Sequence, residues 1–507
     1  MDLKLRPQDS VTESELNIGL RRLMFDGVCS QIMGTFVGGA FLVAFALQLG
    51  ASNLFIGLIA ALGPLTQVLQ IPTIFLVEKT GYRKLLVVAS SFLSRLFWFL
   101  VAILPWLVSE TYRVSLFLFA LTMYYGLGTI SGLSFNSWMR DLIPDSIRGR
   151  YTAKRAAVAT AVGAAMSLGA GAGVDLYKRY GSELGIYSIY FAIGGSVGLI
   201  GIYFLSKIPE PKMERRPTVN LVKIILEPLK DLNFRYLLIF LGTWNFAINL
   251  AAPFFTVYML KRIGLSMTLV LALSVLSQMV NVLFIRLWGL LTDLFSNKSV
   301  LTVAGPFFIL TIAIWPFTTM PERHFLTIPL LLIAHALAGM STAGVTLCTG
   351  NIALKLAPPG KATSYLAVNA LVSGVAATLA PILGGLIATW LDTERMSLTL
   401  RWLSQETIRW SLPTVELKGL DFLFILAIIF GLYSMHRLVT VKEAGEAEEG
   451  VVLDRFRSEV RKAVRNVSNV AGVRDLFYFP YARLRRLMHK EEVLIEADKI
   501  NSTSLSD

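Results

Sequence analysis

The sequence predicts an all-α membrane protein with twelve transmembrane helices in two pseudo-symmetric six-helix bundles, followed by an amphipathic tail. Hydrophobic residues make up 54% of the 507 residues and charged residues only 16%, and the mean hydropathy is +0.61. These values are far from those of soluble proteins. About a dozen apolar runs have the roughly 20-residue length that crosses a bilayer. Landmarks of the first half also recur in the second.

The charge and cysteine content exclude several other classes. The net charge is +13, but the basic residues lie in short connections and in the tail rather than in one soluble basic domain. We therefore expect anionic lipid headgroups at the tail as a partner, and no nucleic acid. Cys29 and Cys348 both lie in apolar runs, so they predict neither a disulfide framework nor a metal site. No cofactor is expected.

The apolar runs divide the chain into two sets of six, which we number spans 1 to 12. Those of the first half lie near 22 to 49, 53 to 76, 84 to 107, 113 to 139, 153 to 177 and 185 to 207. Those of the second half lie near 236 to 260, 266 to 292, 299 to 320, 326 to 354, 363 to 391 and 419 to 438. The predicted domains are an N-terminus (1–21), a first bundle (22–207), a linker (208–235), a second bundle (236–440) and a tail (441–507).

Basic residues predict the orientation. The two termini and the connections after spans 2, 4, 6, 8 and 10 carry more Lys and Arg than the remaining connections do. Since basic residues near span ends stay on the cytoplasmic side, we expect a multi-pass protein of the cell membrane with both termini in the cytoplasm. The connection 392–418 is the exception, an external segment with several cations, in which Trp402 and Trp410 suit the headgroup zone.

Internal repetition supports the two-bundle prediction. Residues of the connection after span 4 recur about 214 residues later, in the connection after span 10 and the start of span 11. The pairs are Pro144 with Pro358, Tyr151 with Tyr365, and Arg155 with Asn369. A duplicated six-span unit is one of the known plans of secondary transporters.

The connections after spans 2 and 8 carry related charge clusters. The first contains Glu78, Lys79, Gly81, Arg83 and Lys84, and the second contains Gly289, Asp293 and Lys298. These clusters resemble the loop motif of the major facilitator superfamily, Gly-x-x-x-Asp-(Arg/Lys)-x-Gly-(Arg/Lys)-(Arg/Lys), and the resemblance covers about residues 20 to 440. The first copy departs from the motif by one inserted residue and by Ile74 at the Gly position.

The resemblance implies a secondary active transporter that works by alternating access. Asp141, at the end of span 4, stands where the family places an acidic partner for the loop cluster. We predict a cytoplasmic gate formed by Glu78, Lys79, Arg83, Asp141, Arg148, Arg150, Gly289, Asp293 and Lys298.

Arg95 lies about eleven residues beyond Lys84, or ~16 Å along a helix, near the middle of a ~30 Å hydrophobic core. A charge at that depth costs roughly 2.5 to 3.5 kcal/mol unless it faces protein or water. One interpretation is an anion-attracting or coupling residue in a central cavity. The other is a buried ion pair that fixes span 3.

Asp26 lies about one turn into span 1. A carboxylate in a poorly solvated site could take and release a proton while the two halves move, so a proton is the expected coupling ion. The alternative is a charge favoured by the helix dipole, or a partner for Arg21 or Arg22.

Polar side chains at helical spacing predict the wall of the substrate cavity. In the family, spans 1, 4, 7 and 10 line the pathway. The predicted substrate-binding residues are Gln31, Arg95, Tyr124, Trp244, Asn245, Asn249, Gln278, His335, Thr342 and Asn369. The alternative role is hydrogen bonding between helices, worth about 0.6 kcal/mol each. Glycines of spans 5 and 11, among them Gly171 and Gly385, predict close helix contacts.

We therefore expect a monomeric transporter of a small organic solute, neutral or anionic, rather than an enzyme. The four histidines are scattered, and the chain has no nucleophile motif or metal-ligand spacing. The competing hypothesis is a non-transporting membrane sensor or scaffold with the tail as its output. The tail has an apolar face that begins with Leu453, Phe456 and Val460, suited either to the membrane surface or to a partner.

Overall fold

A computed structural model describes residues 6–213, 226–319, 322–404 and 407–470. The middle of the predicted linker, with Arg215 and Arg216, and the basic end of the tail, with Arg483, lie outside the described residues. Within the described chain, twelve helices are long and apolar enough to cross a membrane, as predicted. Spans 1 to 12 are Glu13–Gln48, Asn53–Thr80, Arg83–Leu107, Glu110–Leu142, Asp145–Tyr177, Glu183–Ser206, Leu232–Arg262, Met267–Leu294, Asn297–Phe317, Thr327–Leu356, Ala362–Trp390 and Leu420–Val439.

Local sequence explains how several spans begin and bend. Span 1 begins at Glu13 rather than near residue 22, because Thr12 and Glu15 form a capping box there. It consists of two helices, Glu13–Val37 and Gly39–Gln48, that meet where Gly39 has a φ of +54°. Span 2 is likewise interrupted by a short 3₁₀ turn at Gln67–Leu69.

The spans form two six-helix bundles. In the first bundle, span 1 packs against span 6, and span 3 packs against spans 4 and 6. In the second bundle, span 7 packs against spans 11 and 12, and span 10 packs against spans 8 and 9. The bundles meet where span 2 packs on span 11 and span 5 packs on span 8.

Small residues allow the two bundles to touch, as predicted for Gly171 and Gly385. A Cβ atom at Gly385 would lie 2.6 Å from the carbonyl oxygen of Asn53, and one at Gly171 would lie 3.0 Å from the Cα of Thr268. Gly57 of span 2 similarly faces the carbonyl of Pro381. Larger residues at these positions would push the bundles apart.

We call the side with both termini the termini face and the other side the far face. At the far face, the Asp175 carboxylate of span 5 accepts hydrogen bonds of 2.9 Å from the backbone N–H groups of Met267 and Thr268, which cap span 8. The Asn53 amide donates at 3.4 Å to Asp392 Oδ1 and to a backbone carbonyl of span 11. Hydrogen bonds therefore join the two bundles at the far face.

A two-stranded antiparallel hairpin connects spans 11 and 12, where the sequence analysis expected only a long external segment. Its strands are β1 (Arg395–Ser404) and β2 (Thr407–Lys418). The register pairs apolar positions with apolar ones, among them Met396 with Leu417 and Trp402 with Trp410. Alternation of apolar and polar residues accounts for the strands.

The beginning of the tail packs on the second bundle. A helix at Glu449–Val470 follows span 12. The Phe456 ring stacks on Trp288 of span 8 at 4.8 Å between centroids, and Val452 is fully buried. The first turns of the predicted apolar face are therefore covered by the chain's own spans.

Candidate transport site and gates

A charged cluster lies inside the first bundle. Asp26 of span 1 is 3% exposed, and its Oδ2 atom lies 3.5 Å from Nη2 of Arg155 on span 5. Ser30 Oγ, one turn further along span 1, lies 3.5 Å from Asp26 Oδ1. Arg95 of span 3 reaches the same place and donates to Ser30 Oγ at 3.4 Å and to the carbonyl of Gly198. One carboxylate thus lies between two guanidinium groups.

Glycines make the room for this cluster. A Cβ at Gly198 of span 6 would lie 3.0 Å from Cδ of Arg95, and one at Gly201 would lie 3.2 Å from Oδ1 of Asp26. A Cβ at Gly27 would lie 2.6 Å from Nε of Arg155. The charged side chains therefore occupy space that any residue larger than glycine at these three positions would partly fill.

The structure decides between some of the interpretations of these charges. Arg95 is 7% exposed and lies between spans 1, 3 and 6, so it belongs to a buried charged cluster rather than to the wall of a central cavity. Asp26 pairs with Arg155, whereas Arg22 donates to the carbonyl of Lys207 at 2.5 Å. The expectation that Asp26 pairs with Arg21 or Arg22 is therefore wrong.

Arg155 was not predicted to belong to this site. Its side chain is 29% exposed, its Cζ atom lies 5.6 Å from the centre of the Phe135 ring on span 4, and its Nε atom is buried without a hydrogen bond. It is the more accessible of the two guanidinium groups that face Asp26. The sequence signal was its place in the repeat, opposite the neutral Asn369.

Two predicted substrate-binding residues lie in one cavity between the bundles. Gln31 of span 1 and Gln278 of span 8 line a space of about 210 Å³, together with hydroxyl groups such as those of Thr35 and Ser274. Gln31 packs against span 5, where a Cβ at Gly163 would lie 2.5 Å from its Nε2 atom. This cavity offers amides and hydroxyls from both halves.

Three predicted asparagines form a network in the second bundle. Asn245 Nδ2 donates to Ser373 Oγ at 3.3 Å, and Ser373 Oγ donates to Asn369 Oδ1 at 3.3 Å. Asn249 Nδ2 donates to the carbonyl of Asn245 at 2.8 Å. The network joins spans 7 and 11 with neutral polar groups.

Four other predicted substrate-binding residues are buried or half-buried among neighbouring side chains. Trp244 is 2% exposed and packs on Phe308 at 5.7 Å between ring centroids. His335 is 9% exposed and lies against Trp315 at 5.6 Å. We assign both to the core of the second bundle because neighbouring spans surround them. Tyr124 packs on the Trp98 ring at 4.9 Å, and Thr342 is half-buried on span 10.

Arg83 is the centre of a network at the termini face of the first bundle. It is fully buried and forms an ion pair with Asp141 at the end of span 4. Glu210, just after span 6, accepts a hydrogen bond of 2.8 Å from the Arg83 backbone N–H and lies 3.4 Å from its Nε atom. Burial raises the pKa of the Glu210 carboxyl, although hydrogen bonds from the Lys84 and Arg83 backbones oppose that rise.

Glu443, just after span 12, has the corresponding place in the second bundle. It accepts hydrogen bonds from the backbone N–H of Asn297 at 3.2 Å and of Lys298 at 2.7 Å, and it pairs with Lys355 at 3.1 Å. The Lys298 ammonium reaches Glu446 at 2.8 Å. Neither acid was predicted, and the signal they share is a Glu four residues after the last span of each half.

The remaining predicted gate residues lie at the surface. Lys79, Arg150 and Asp293 are exposed, and Glu78 is half-buried. The Arg148 side chain donates to the carbonyls of Arg140 and Ile143 at 2.8 and 2.9 Å and thereby closes the turn after span 4. A Cβ at Gly289 would meet open space, so this glycine makes no close helix contact here.

A family model described as Major Facilitator Superfamily matches residues 23–381. The chain belongs to this superfamily. The twelve spans and the family together make this superfamily member a multi-pass secondary transporter. No curated protein sequence gives a significant match.

Solved structures share the fold of this superfamily member at low identity. A mutant of the nucleoside transporter NupG has a TM-score of 0.61 at 14% identity, with 84% of this chain and 100% of that chain covered. A bacterial homologue of the iron transporter ferroportin, in an inward-facing state, has a TM-score of 0.59 at 12% identity, with 85% of this chain and 99% of that chain covered. A D-xylose-proton symporter has a TM-score of 0.55 at 15% identity, with 85% of this chain and 99% of that chain covered.

The arrangement gives this major facilitator protein two different sets of contacts. At the far face, Asp175 and Asn53 join the bundles to each other. At the termini face, Arg83 and Glu443 bind within their own bundles. Contacts of the first kind join the two bundles, whereas contacts of the second kind hold each bundle together.

Proposed function

We propose that this protein moves a small organic solute across the cell membrane by alternating access, and that a proton on Asp26 drives the movement. The observation that carries the proposal is the burial of the Asp26 carboxylate between Arg155 and Arg95, on spans that belong to one moving bundle. A buried charged cluster is expensive in a membrane protein and is usually kept for function.

Protonation would change the contacts that the Asp26 side chain can make. The ionised carboxylate attracts Arg155 across 3.5 Å, whereas a neutral carboxyl loses that attraction but can still hydrogen bond to Ser30. Arg155 is 29% exposed, so its release from Asp26 would leave its cation available to a solute. Binding of a proton to Asp26 and binding of an anionic or dipolar solute would then be linked through the Arg155 side chain.

The contacts between bundles support an inward-facing state. The hydrogen bonds of Asp175 and Asn53 close the far face, and the predicted gate residues Lys79 and Asp293 are exposed at the termini face. The structurally similar ferroportin homologue is likewise described as inward-facing. With the excess of basic residues at the termini face, we place both termini in the cytoplasm.

The polar groups between the bundles favour a solute with hydroxyl or amide groups. Gln31 and Gln278 contribute amides from opposite halves. Similar solved structures include a nucleoside transporter and a D-xylose-proton symporter, whose substrates carry several hydroxyl groups. Arg155 favours a neutral or anionic solute over a cationic one.

Asp26→Asn in proteoliposomes tests this proposal. We expect solute counterflow to persist, while accumulation driven by an imposed pH gradient is lost, because the amide cannot take the proton. Asp454→Asn, an exposed change in the tail helix, is the control. Accumulation by Asp26→Asn that still follows the pH gradient would remove Asp26 from coupling.

The competing sensor hypothesis predicts an output through the tail. Deleting residues 471–507 leaves the contact between Phe456 and Trp288 in place. A transporter should keep its uptake rate after this deletion. The sensor hypothesis instead predicts no uptake of any solute, before or after the deletion. It also predicts that binding of a partner is lost when residues 471–507 are removed.

A further inference from the structure

We propose that the termini face of the first bundle binds the phosphate group of an anionic phospholipid in a basic pocket. The pocket has a volume of about 260 Å³ and lies where spans 1, 3 and 6 end. Its four cationic side chains are those of Arg6, Arg22, Lys84 and Lys207. We call this the N-bundle pocket.

Among the described residues that line the N-bundle pocket, four cations face two acids, Glu15 and Glu210. Glu15 accepts hydrogen bonds of 3.0 Å from the backbone N–H and the hydroxyl of Thr12, and Glu210 accepts one of 2.8 Å from the backbone N–H of Arg83. The described lining therefore carries a net positive charge, which suits an anion.

The walls of the N-bundle pocket are fixed by hydrogen bonds. The Gln8 N–H donates to the Glu210 carbonyl at 2.8 Å, and the Lys212 N–H donates to the Gln8 carbonyl at 3.0 Å, so the N-terminal segment is tied to the end of span 6. Arg22 donates to the Lys207 carbonyl at 2.5 Å, and Lys84 is 3% exposed. A preformed pocket loses little conformational entropy when it binds.

An exposed apolar surface continues from the pocket along spans 1 and 6. Ile18 lines the pocket and is 46% exposed, and Phe25 and Tyr203 are 57% and 52% exposed. Phe25 stacks on Phe204 at 5.3 Å, which joins the two spans into one surface. The Lys207 ammonium lies 5.8 Å from the centre of the Tyr203 ring, at the boundary between the surface and the pocket.

This continuity identifies a lipid rather than a soluble anion. A phospholipid places its phosphate at the ends of the spans and its acyl chains against apolar side chains of the same spans. Inorganic phosphate shares the charged group but has nothing to place against Phe25 and Tyr203. The two sources therefore differ in whether acyl chains add to the affinity.

The test is a binding titration of the purified full chain in neutral detergent, read by thermal stabilisation. The ligands are phosphatidylglycerol, phosphatidylcholine and inorganic phosphate at matched ionic strength. The variant is Arg6→Gln with Lys207→Gln, since the Arg6 side chain is exposed and Lys207 lies at the pocket rim. The control is Lys230→Gln with Lys442→Gln, two exposed cations of the same face outside the pocket.

We expect phosphatidylglycerol to stabilise the protein at lower concentrations than phosphatidylcholine. Each removed cation should weaken binding roughly fivefold, so the pocket variant should bind phosphatidylglycerol about 25-fold more weakly. The control variant should bind it as tightly as the unchanged protein does. Equal effects of the two lipids, or equal weakening in the control, would overturn the site. Saturation by inorganic phosphate at the same concentration would overturn the lipid assignment.

Discussion

The two bundles place different chemistry at equivalent positions. Asp26 and Arg95 of the first bundle are followed, about 214 residues later, by Phe240 and Ile309 of the second. All four side chains are nearly or fully buried. The first bundle therefore fills its interior with an ion pair network where the second bundle uses a hydrophobic core.

A glycine of the last span in each half lies against one of these positions. Gly198 of span 6 lies against Arg95, and Gly431 of span 12 lies against Ile309, where a Cβ would be 3.1 Å from Cγ1. Since the second bundle folds with apolar residues at these sites, the fold does not require the charges. Replacing buried ion pairs by apolar residues is often neutral or stabilising, so charges retained in only one half point to function.

Arg95→Ile should have the largest effect, because it leaves the Asp26 carboxylate buried with Arg155 as its remaining cation. Removing one partner of a buried ion pair costs roughly 3 to 5 kcal/mol. That range is an upper bound here, because Arg155 stays paired with Asp26. We expect a marked fall in the apparent melting temperature and a loss of transport. Ile309→Val, at the equivalent position of the second bundle, is the control and should cost about 1 kcal/mol.

Combining Arg95→Ile with Asp26→Leu and Arg155→Asn gives the first bundle the residue types of the second, since Asn369 is the counterpart of Arg155. We expect this triple variant to regain most of the lost melting temperature while transport remains absent. A triple variant that transports normally would show that the charged cluster serves only stability. One that melts as early as Arg95→Ile would contradict the equivalence of the two halves.

The acids after spans 6 and 12 provide a second comparison between the bundles. Glu210 faces the fully buried Arg83, whereas Glu443 faces Lys355, whose side chain is 44% exposed. Glu210→Gln should therefore cost about 1.5 to 3 kcal/mol, the value for hydrogen bonds to charged groups, and Glu443→Gln about 1 kcal/mol. Melting temperatures of the two variants, in the same detergent, check the order.

The far face is where the two bundles depend on each other. Asp175→Ala removes the cap that span 5 supplies to span 8 and should weaken this closed face by about 1 kcal/mol, or roughly fivefold in population. The measurement is labelling of a cysteine placed at Leu271, after Cys29 and Cys348 are replaced. Faster labelling is expected in Asp175→Ala but not in Lys178→Gln, whose partner Glu183 lies in the same bundle.

The sequence allowed the spans to be predicted but not the partners of the charged residues. Each span is a local property of about 20 apolar residues, and the repeated landmarks predicted their grouping into two halves. The direction of Arg95 depends on Gly198 and Gly201, about a hundred residues away, and so could not be read from span 3 alone. The hairpin after span 11 was missed because the segment 392–418 was considered only for its length, its cations and its two Trp residues, although its alternation is visible between Arg395 and Leu400.

The smallest effect on stability should come from Asp293→Asn in the last turn of span 8. Asp293 is exposed in the present state, so the change should stay within about 0.5 kcal/mol. If the predicted gate at the termini face forms only when that face closes, transport should nevertheless slow severalfold. Asp141→Asn differs because Arg83 holds Asp141 already in this state, so it should lower both the melting temperature and transport. Unchanged transport in Asp293→Asn would restrict the gate to the first bundle.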